Sequence, residues 1–121
     1  MYFIDSHCHL PSVEQKERLE EVVNNAQSAG VHKFVNIGTS ISENAKVLEA
    51  AKKYSQTYPT AAIYPHEDMD RSLDELKQYM EDFVSKNRED LVAVGETGID
   101  ISNWVGGRDL EAQIALFEFQ A

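Results

Sequence analysis

The sequence has little cysteine and no long apolar run, and each absence narrows what the protein can be. Its single cysteine, Cys8, excludes a disulfide within the chain and is typical of a reducing compartment. No apolar stretch approaches the roughly 18 residues that a membrane span needs. Residues Met1–Asp5 lack a basic region and a cleavage site, so they do not resemble a signal peptide. We therefore expect a cytoplasmic protein without a membrane span.

Positive charge is also scarce. The sequence has 11 Lys and Arg residues against 21 Asp and Glu residues, a formal net charge of −10. Such a balance argues against a nucleic-acid-binding module that works through a broad basic face. It leaves room for an enzyme that acts on phosphate groups, because bound metal ions can supply the local positive charge.

Strand-like and helix-like apolar spacing alternate along the whole chain. Short β-compatible stretches are each followed by a capping pattern and by apolar residues at helical intervals. The pattern predicts strands at 2–8, 31–37, 60–64 and 91–94, capping boxes at Ser12 with Gln15, Ser40 with Glu43 and Ser72 with Glu75, a helix end at Gly30, and a fourth helix bearing Leu110, Ile114 and Phe117.

This order calls for parallel strands covered by helices, either in an open doubly wound sheet or in a (β/α)8 barrel. The first strand ends in Asp-Ser-His-Cys-His rather than in the glycine-rich turn of the open fold, which favours the barrel. A barrel takes about 250 residues. We therefore expect residues 1–121 to be the N-terminal half, about four βα units, of one α/β barrel domain whose natural chain continues past Ala121. Two unpaired sheet edges would favour self-association.

His7 and His9 are the first candidates for chemistry. Residues i and i+2 of a strand point to the same face, and the active sites of barrels lie at the C-terminal strand ends. Two imidazoles placed there can bind one divalent metal. The alternative is a pair of hydrogen-bonded surface histidines. Asp5, two residues earlier, either orients a ligand histidine by a hydrogen bond or is an ordinary turn carboxylate.

Glu96 is the candidate for a third ligand. It follows Val92–Val94, which we expect to form a buried strand, and we expect Gly95 to permit a close backbone approach there. In a barrel the C-terminal ends of the first and fourth strands face the same central space. Alone, Glu96 is an ordinary loop acid, but with two histidines it completes a ligand set for a divalent metal.

These features occur within a series of motifs that resembles the TatD family. The motifs run in order along the whole chain: Phe-Ile-Asp-Ser-His-Cys-His-Leu at 3–10, Asn-Ile-Gly-Thr-Ser at 36–40, Tyr-Pro-His at 64–66, Gly-Glu-Thr-Gly-Ile-Asp at 95–100, and the pair Gln113 and Phe117. The resemblance implies a TIM-barrel metal-dependent deoxyribonuclease related to the amidohydrolases, of which this chain is the first half.

By position, the resemblance makes His7 and His9 ligands of one metal and Glu96 a carboxylate that can bridge two. The family's remaining ligands, two histidines and an aspartate, belong to the second half and have no counterpart here. The aspartate contributes to activating the water in that family. We therefore expect the 121-residue chain alone to be catalytically inactive.

Two positions depart from the family pattern. Tyr64 stands where the family usually has a histidine, and Ile101 stands where it tends to have an aromatic residue. His66 is a candidate for contact with phosphate, with an exposed loop histidine as the alternative. Asp100 either binds near the site or caps a turn. Trp104 is expected to pack over its loop rather than to stack on a base.

The leading functional hypothesis is hydrolysis of DNA phosphodiester bonds by a water activated on one or two divalent ions. Histidines favour Zn²⁺ or Mn²⁺, whereas a bridging carboxylate and a phosphate substrate suit Mg²⁺. Two alternatives stay open. One is an amidohydrolase-like deacylase or esterase that uses the same metal site. The other is an inactive half-barrel that serves as a scaffold.

Overall fold

The computed structural model describes residues 1–14, 18–103 and 105–121. Four parallel strands form one sheet in the order β1-β2-β3-β4, with helices between them and after the last strand. The elements are β1 (Phe3–Cys8), α1 (Leu10–Glu14), α2 (Leu19–Ser28), β2 (Val31–Asn36), α3 (Ile41–Lys53), β3 (Thr57–Ala61), α4 (Leu73–Asn87), β4 (Ala93–Val94) and α5 (Leu110–Gln120). None of the described helices is both long and apolar enough to cross a lipid bilayer.

The consecutive strand order decides between the two predicted closures. An open doubly wound sheet reverses its strand order at a switch point, whereas a barrel adds each strand beside the previous one. Here each strand pairs with its predecessor in sequence, and the sheet curls. The predicted half-barrel of four βα units is therefore confirmed.

Two apolar clusters lie between the sheet and its helices. One joins β1 and β2 to the first two helices, through Leu10, Leu19, Val23 and Phe34. The other joins the end of β3 to α4 and α5, through Ala61, Ile63, Leu76, Met80 and Leu116. The helices are thus packed against the strands through two separate apolar clusters.

The helix-start predictions had mixed outcomes. Ser72 and Glu75 form the full reciprocal box. Ser40 accepts from the backbone N–H of Glu43, but the carboxylate of Glu43 binds the hydroxyl of Thr39 at 2.7 Å instead of returning to the cap. The prediction of a single first helix capped at Ser12 was wrong.

The first helical region consists of two helices, and the first of them, α1, begins directly after β1. The carbonyl of His9 accepts from the N–H groups of Ser12 and Val13 at 3.1 and 3.4 Å, so Ser12 lies inside α1. Its predicted partner Gln15 lies outside the described residues. The end of α2 is as predicted, since Gly30 follows the last helical residues with φ of +97°, a conformation that favours glycine.

The third strand was predicted three residues too late. It spans Thr57–Ala61 and includes Pro59, whose carbonyl accepts from Val92 at 3.0 Å just before β4. In a parallel strand, the N–H and the carbonyl of one residue bond to the same neighbouring strand. The N–H that Pro59 lacks would therefore face β4, at the point where the β3–β4 pairing begins. The fourth strand was predicted too long, at 91–94, and covers only Ala93–Val94.

Side-chain amides, rather than strands, hold the extended segment after β3. Asn44 of α3 donates from Nδ2 to the carbonyl of Ala62 at 3.0 Å and accepts from its N–H at 3.1 Å. Gln120 of α5 brackets Ile63 in the same way, at 3.1 and 2.7 Å. Ala62, Ile63 and Asn44 are all fully buried. Residues 62–63 therefore complete their backbone hydrogen bonds without a sheet partner.

Candidate metal centre

The end of β1 fixes the backbone on both sides of His9. The carbonyl of Cys8 accepts from the N–H of Ile37 at 2.9 Å, which anchors the strand end to β2. On the other side of His9, the N–H of Leu10 donates to Oδ1 of the buried Asn36 at 3.1 Å. Because the residues on both sides of His9 are hydrogen-bonded, the backbone of His9 is fixed where β1 ends and α1 begins. Sequence patterns gave no sign of this role for Asn36.

Glu96 is positioned from β3 and from the loop after β2. The N–H of Gly95 donates to Ala61 at 3.2 Å, and the N–H of Glu96 donates to Gly38 at 3.3 Å. The buried hydroxyl of Thr60 donates to the carbonyl of Gly95. The backbone that carries Glu96 is thus tied to two neighbouring segments.

The three predicted ligands meet at the C-terminal end of the sheet. The Nε2 atoms of His7 and His9 lie 3.3 Å apart. Oε2 of Glu96 lies 3.2 Å from Nε2 of His7 and 3.8 Å from Nε2 of His9. In a flat sheet, strands in first and fourth place would be about 14 Å apart. Contact between their side chains therefore depends on the curl of the sheet.

These distances fit a divalent cation. Ligand atoms at about 2.0–2.1 Å from a tetrahedral ion are separated by about 3.3 Å. The three donor atoms of His7, His9 and Glu96 have nearly that spacing, and roughly a third to a half of each side chain is exposed. Two imidazoles and one carboxylate also form a suitable donor set for such an ion.

Asp5 contacts His7 through the main chain. Its Oδ1 accepts from the backbone N–H of His7 at 3.1 Å, a turn-like bond across two residues. The carboxylate therefore steadies the strand that carries the first ligand. This contact corresponds to the turn-carboxylate alternative for Asp5.

Beside the cluster, the loops after β3 and β4 are joined by a phenol and a carboxylate. The hydroxyl of Tyr64 donates to Oδ2 of Asp100 at 2.6 Å. This bond and the nearby negative charge raise the pKa of Tyr64 to about 12. Oδ1 of Asp100 accepts from the N–H of Ser102 at 2.8 Å, and the N–H of Asp100 donates to the buried Gln113 at 2.8 Å.

His66 belongs to the same connection between loops. Its Nδ1 lies 3.1 Å from the backbone N–H of Arg108, which donates to it. A ring that accepts at Nδ1 carries its proton on Nε2, which lies 3.0 Å from the carbonyl of Asp100 and donates to it. Both ring nitrogens therefore contact backbone groups, and the predicted phosphate contact of His66 stays a prediction.

The buried side chain of Arg108 completes this connection, and sequence reasoning missed it. Its guanidinium donates to the carbonyls of Pro65 and Glu67 at 2.7 and 3.4 Å, while its own carbonyl accepts from Gln113 at 2.8 Å. Burial lowers the pKa of Arg108. A lone arginine in a glycine-containing loop carries no sequence signal for such a role. Trp104, from the same loop, lies outside the described residues.

A small cavity of about 290 Å³ is lined by Glu96, one of the three candidate ligands. Its wall is formed by the loops after β3 and β4, with Tyr64, Pro65, Glu96, Thr97, Gly98, Ile99 and Asp100 as lining residues. Two of the predicted site residues, Glu96 and Asp100, thus face one space, whereas His66 lies outside the lining.

Comparison with known proteins shows the family of the chain. The family model described as "TatD related DNase" matches residues 4–121. The chain belongs to the TatD family. The TatD resemblance seen in the sequence motifs is thereby confirmed.

The chain is similar in sequence to a metal-dependent hydrolase and to an exonuclease. The chain is 33% identical over 102 residues to an uncharacterized metal-dependent hydrolase, YjjV, of Escherichia coli, covering 82% of the chain and 38% of that protein. It is 30% identical over 100 residues to the 3'-5' ssDNA/RNA exonuclease TatD of Salmonella typhimurium, covering 81% and 36%. The chain therefore spans well under half the length of these relatives.

Solved TatD structures share the fold. The crystal structure of the E. coli TatD homologue YjjV superimposes with a TM-score of 0.81 at 27% identity, covering 98% of this chain and 44% of that one. A TatD family hydrolase from Entamoeba histolytica gives a TM-score of 0.78 at 21% identity and supports the fold alone.

Proposed function

We propose that this chain forms part of a metal-dependent nuclease that hydrolyses phosphodiester bonds in DNA, and that His7, His9 and Glu96 bind its divalent cation. The observation that carries the proposal is the convergence of two imidazole nitrogens and one carboxylate oxygen at the C-terminal end of the sheet. Active sites of barrel folds lie at this end. The names of the TatD relatives, one a metal-dependent hydrolase and one an exonuclease, supply the reaction class.

Each residue has a distinct part in the proposed site. His7 and His9 would hold the cation through Nε2 and Glu96 through Oε2, the three atoms that lie within 3.8 Å of one another. When bound there, a divalent cation would supply a water of lowered pKa and polarise a phosphoryl oxygen. Asp5 holds the backbone of His7 in place. Asp100 lines the adjacent cavity on the substrate side.

The donor set narrows the choice of metal. Two histidines favour Zn²⁺ or Mn²⁺, because imidazole is a borderline ligand, while the carboxylate and a phosphate substrate also suit Mg²⁺. Any of these ions would supply local positive charge for a phosphate in a protein whose formal net charge is −10. We propose that His7, His9 and Glu96 hold one or two divalent ions, with Mg²⁺, Zn²⁺ and Mn²⁺ as the candidates. The cytoplasmic location expected from the sequence stays a prediction.

The metal site is tested first on the 121-residue chain. Zn²⁺ and Mn²⁺ are titrated into the wild type, His7→Ala, His9→Ala and Glu96→Gln, with His32→Ala as the matched control because His32 stacks on Tyr2 away from the cluster. We expect each ligand variant to bind at least about tenfold more weakly, since even residues that only support a ligand cost that much. Wild-type affinity in His7→Ala would contradict the proposal.

The reaction is tested on the natural protein. Single-stranded DNA and acyl esters are offered in parallel, with metal added and with metal removed by a chelator. We expect metal-dependent cleavage of DNA and no ester hydrolysis. Ester hydrolysis alone would favour the deacylase alternative, and a folded protein that binds no metal and cleaves neither substrate would favour the scaffold.

A further inference from the structure

Tyr64 lines the cavity beside Glu96, and its hydroxyl group already donates a hydrogen bond. Its single phenolic proton is donated to Asp100 at 2.6 Å, so the oxygen can only accept a further hydrogen bond. The N–H of Tyr64 donates to the carbonyl of Thr39 at 2.7 Å, and the preceding residue, Ile63, is bracketed by Gln120. The ring therefore extends from a fixed backbone.

The charged groups that line the same cavity are both carboxylates. Asp100 is directed by its bonds to Tyr64 and to the N–H of Ser102, and Glu96 lines the same cavity beside the histidines. The lining residues include no lysine, arginine or histidine, and the hydroxyl of Thr97 can donate or accept. A ligand group that enters this cavity gains by donating hydrogen bonds and loses by carrying negative charge.

We propose that Tyr64 is a specificity-determining residue that accepts a hydrogen bond from a free sugar hydroxyl of the substrate, so that the adjoining cavity receives a hydroxyl-bearing nucleotide end and rejects a phosphorylated one. The proposal rests on the proposed nuclease function, because the reacting phosphate is assigned to the neighbouring metal cluster. The two subsites then divide the substrate: the phosphate meets the cation, and the sugar meets Tyr64.

Physical chemistry supports discrimination of this kind. A site built to hydrogen-bond a substrate hydroxyl discriminates strongly against an analogue that lacks it, because the site's polar group is then left unpaired. A phosphate in place of the hydroxyl would add negative charge beside Glu96 and Asp100. The raised pKa of Tyr64 supports the same geometry, since its proton stays on the phenol throughout the neutral range.

Three nucleotides test the proposal by binding rather than by turnover. Thymidine 5'-monophosphate has a free 3'-hydroxyl, its 3'-deoxy analogue lacks it, and thymidine 3',5'-bisphosphate replaces it with phosphate. Each is titrated calorimetrically into the Zn²⁺-loaded 121-residue chain. We expect the wild type to bind the hydroxyl-bearing nucleotide about tenfold more tightly than either analogue, the size of effect that one good hydrogen bond gives.

Variants assign the preference to Tyr64. In Tyr64→Phe the preference for the hydroxyl over the 3'-deoxy analogue is expected to fall to about twofold or less. Tyr58→Phe is the matched control, because Tyr58 lies in β3 against Lys33, outside the cavity lining. Asp100→Asn removes charge while it keeps an acceptor, so the bisphosphate should bind more tightly and the preference for a hydroxyl should persist.

The outcomes separate this proposal from the metal site. A chain that binds Zn²⁺ but treats the three nucleotides alike contradicts the role of Tyr64 and leaves the metal site standing. A chain that fails to bind Zn²⁺ yet prefers the hydroxyl supports Tyr64 and contradicts the metal centre. An undiminished preference in Tyr64→Phe, or in Asp100→Asn an unchanged affinity for the bisphosphate, also counts against the proposal.

Discussion

The hydroxyl of Thr60, buried in β3, donates a hydrogen bond to the carbonyl of Gly95, the residue directly before Glu96. β4 is only two residues long, so the sheet itself gives little support to the backbone that carries the carboxylate. Thr60 therefore links the rigid third strand to the candidate metal ligand, and it does so without touching the ligand atoms.

Replacing Thr60 by valine should weaken metal binding. The shape of the side chain is kept but the donor is lost, and one hydrogen bond is worth about 1 kcal/mol, so Zn²⁺ affinity should fall by about five- to tenfold. Thr60→Ser should keep wild-type affinity. Thr57→Val is the matched control, because it removes a similar bond, to the carbonyl of Tyr54 at 2.8 Å, at the other end of β3. Equal losses in Thr57→Val and Thr60→Val would show a general effect of instability.

Asn44→Asp should destabilise the fold. The side chain keeps its size but Nδ2 becomes an oxygen, which would face the carbonyl of Ala62 as a second acceptor in a fully buried site. We expect the free energy of unfolding to fall by about 3 kcal/mol, measured by urea denaturation at neutral pH. Asn24→Asp on the exposed face of α2 is the control and should change it by about 0.5 kcal/mol or less. An equal effect at both positions would contradict a stabilising role for the two hydrogen bonds between Asn44 and the backbone of Ala62.

Tyr64 should be among the last tyrosines to ionise. Its pKa is raised to about 12, first by the hydrogen bond to Asp100, so the folded chain holds this proton after an unfolded chain, with a pKa near 10, has released it. The contribution to stability is complete below about pH 10 and is lost as pH rises toward 12. Ultraviolet absorbance of the phenolate measures the titration. Asp100→Asn should return the pKa of Tyr64 toward 10, and an unchanged titration curve would exclude Asp100 as the cause.

Self-association of the 121-residue chain also stays a prediction. The outer strands β1 and β4 each pair with one strand in the described part of the chain, and Ile4 of β1 is 56% exposed. Open, apolar strand edges pair with other chains. We expect sedimentation velocity to show concentration-dependent dimers that Ile4→Lys reduces. Val105→Lys, at a fully exposed loop position, should leave them unchanged. A monomer at all concentrations would refute the expectation.

The order of elements and the three converging side chains could be predicted from the sequence because both follow from local patterns. Apolar periodicity and serine caps such as Ser72 identify βα units, and parallel strands place their C-terminal ends on one side. His7 lies near the C-terminal end of β1 and Glu96 follows β4. The curl of the sheet therefore brings the two side chains together.

The supports of the site could not be predicted in this way. Asn36, Asn44 and Gln120 are polar, and a pattern of apolar spacing assigns such residues to the surface, yet each of them binds backbone that is distant in sequence. The same limitation displaced the third strand. Residues 62–63 are buried and extended like a strand, but their partners are side chains, so the predicted strand ran past Ala61.

The bracket on Ile63 also sets an order of events during synthesis. Ile63 and Gln120 are 57 residues apart, so the backbone groups of Ile63 leave the ribosome long before the amide that binds them. At about 5–20 residues per second, the interval lasts several seconds. Until Gln120 emerges, only water or another chain can bind the backbone groups of Ile63, so this segment after β3 is open to wrong pairings.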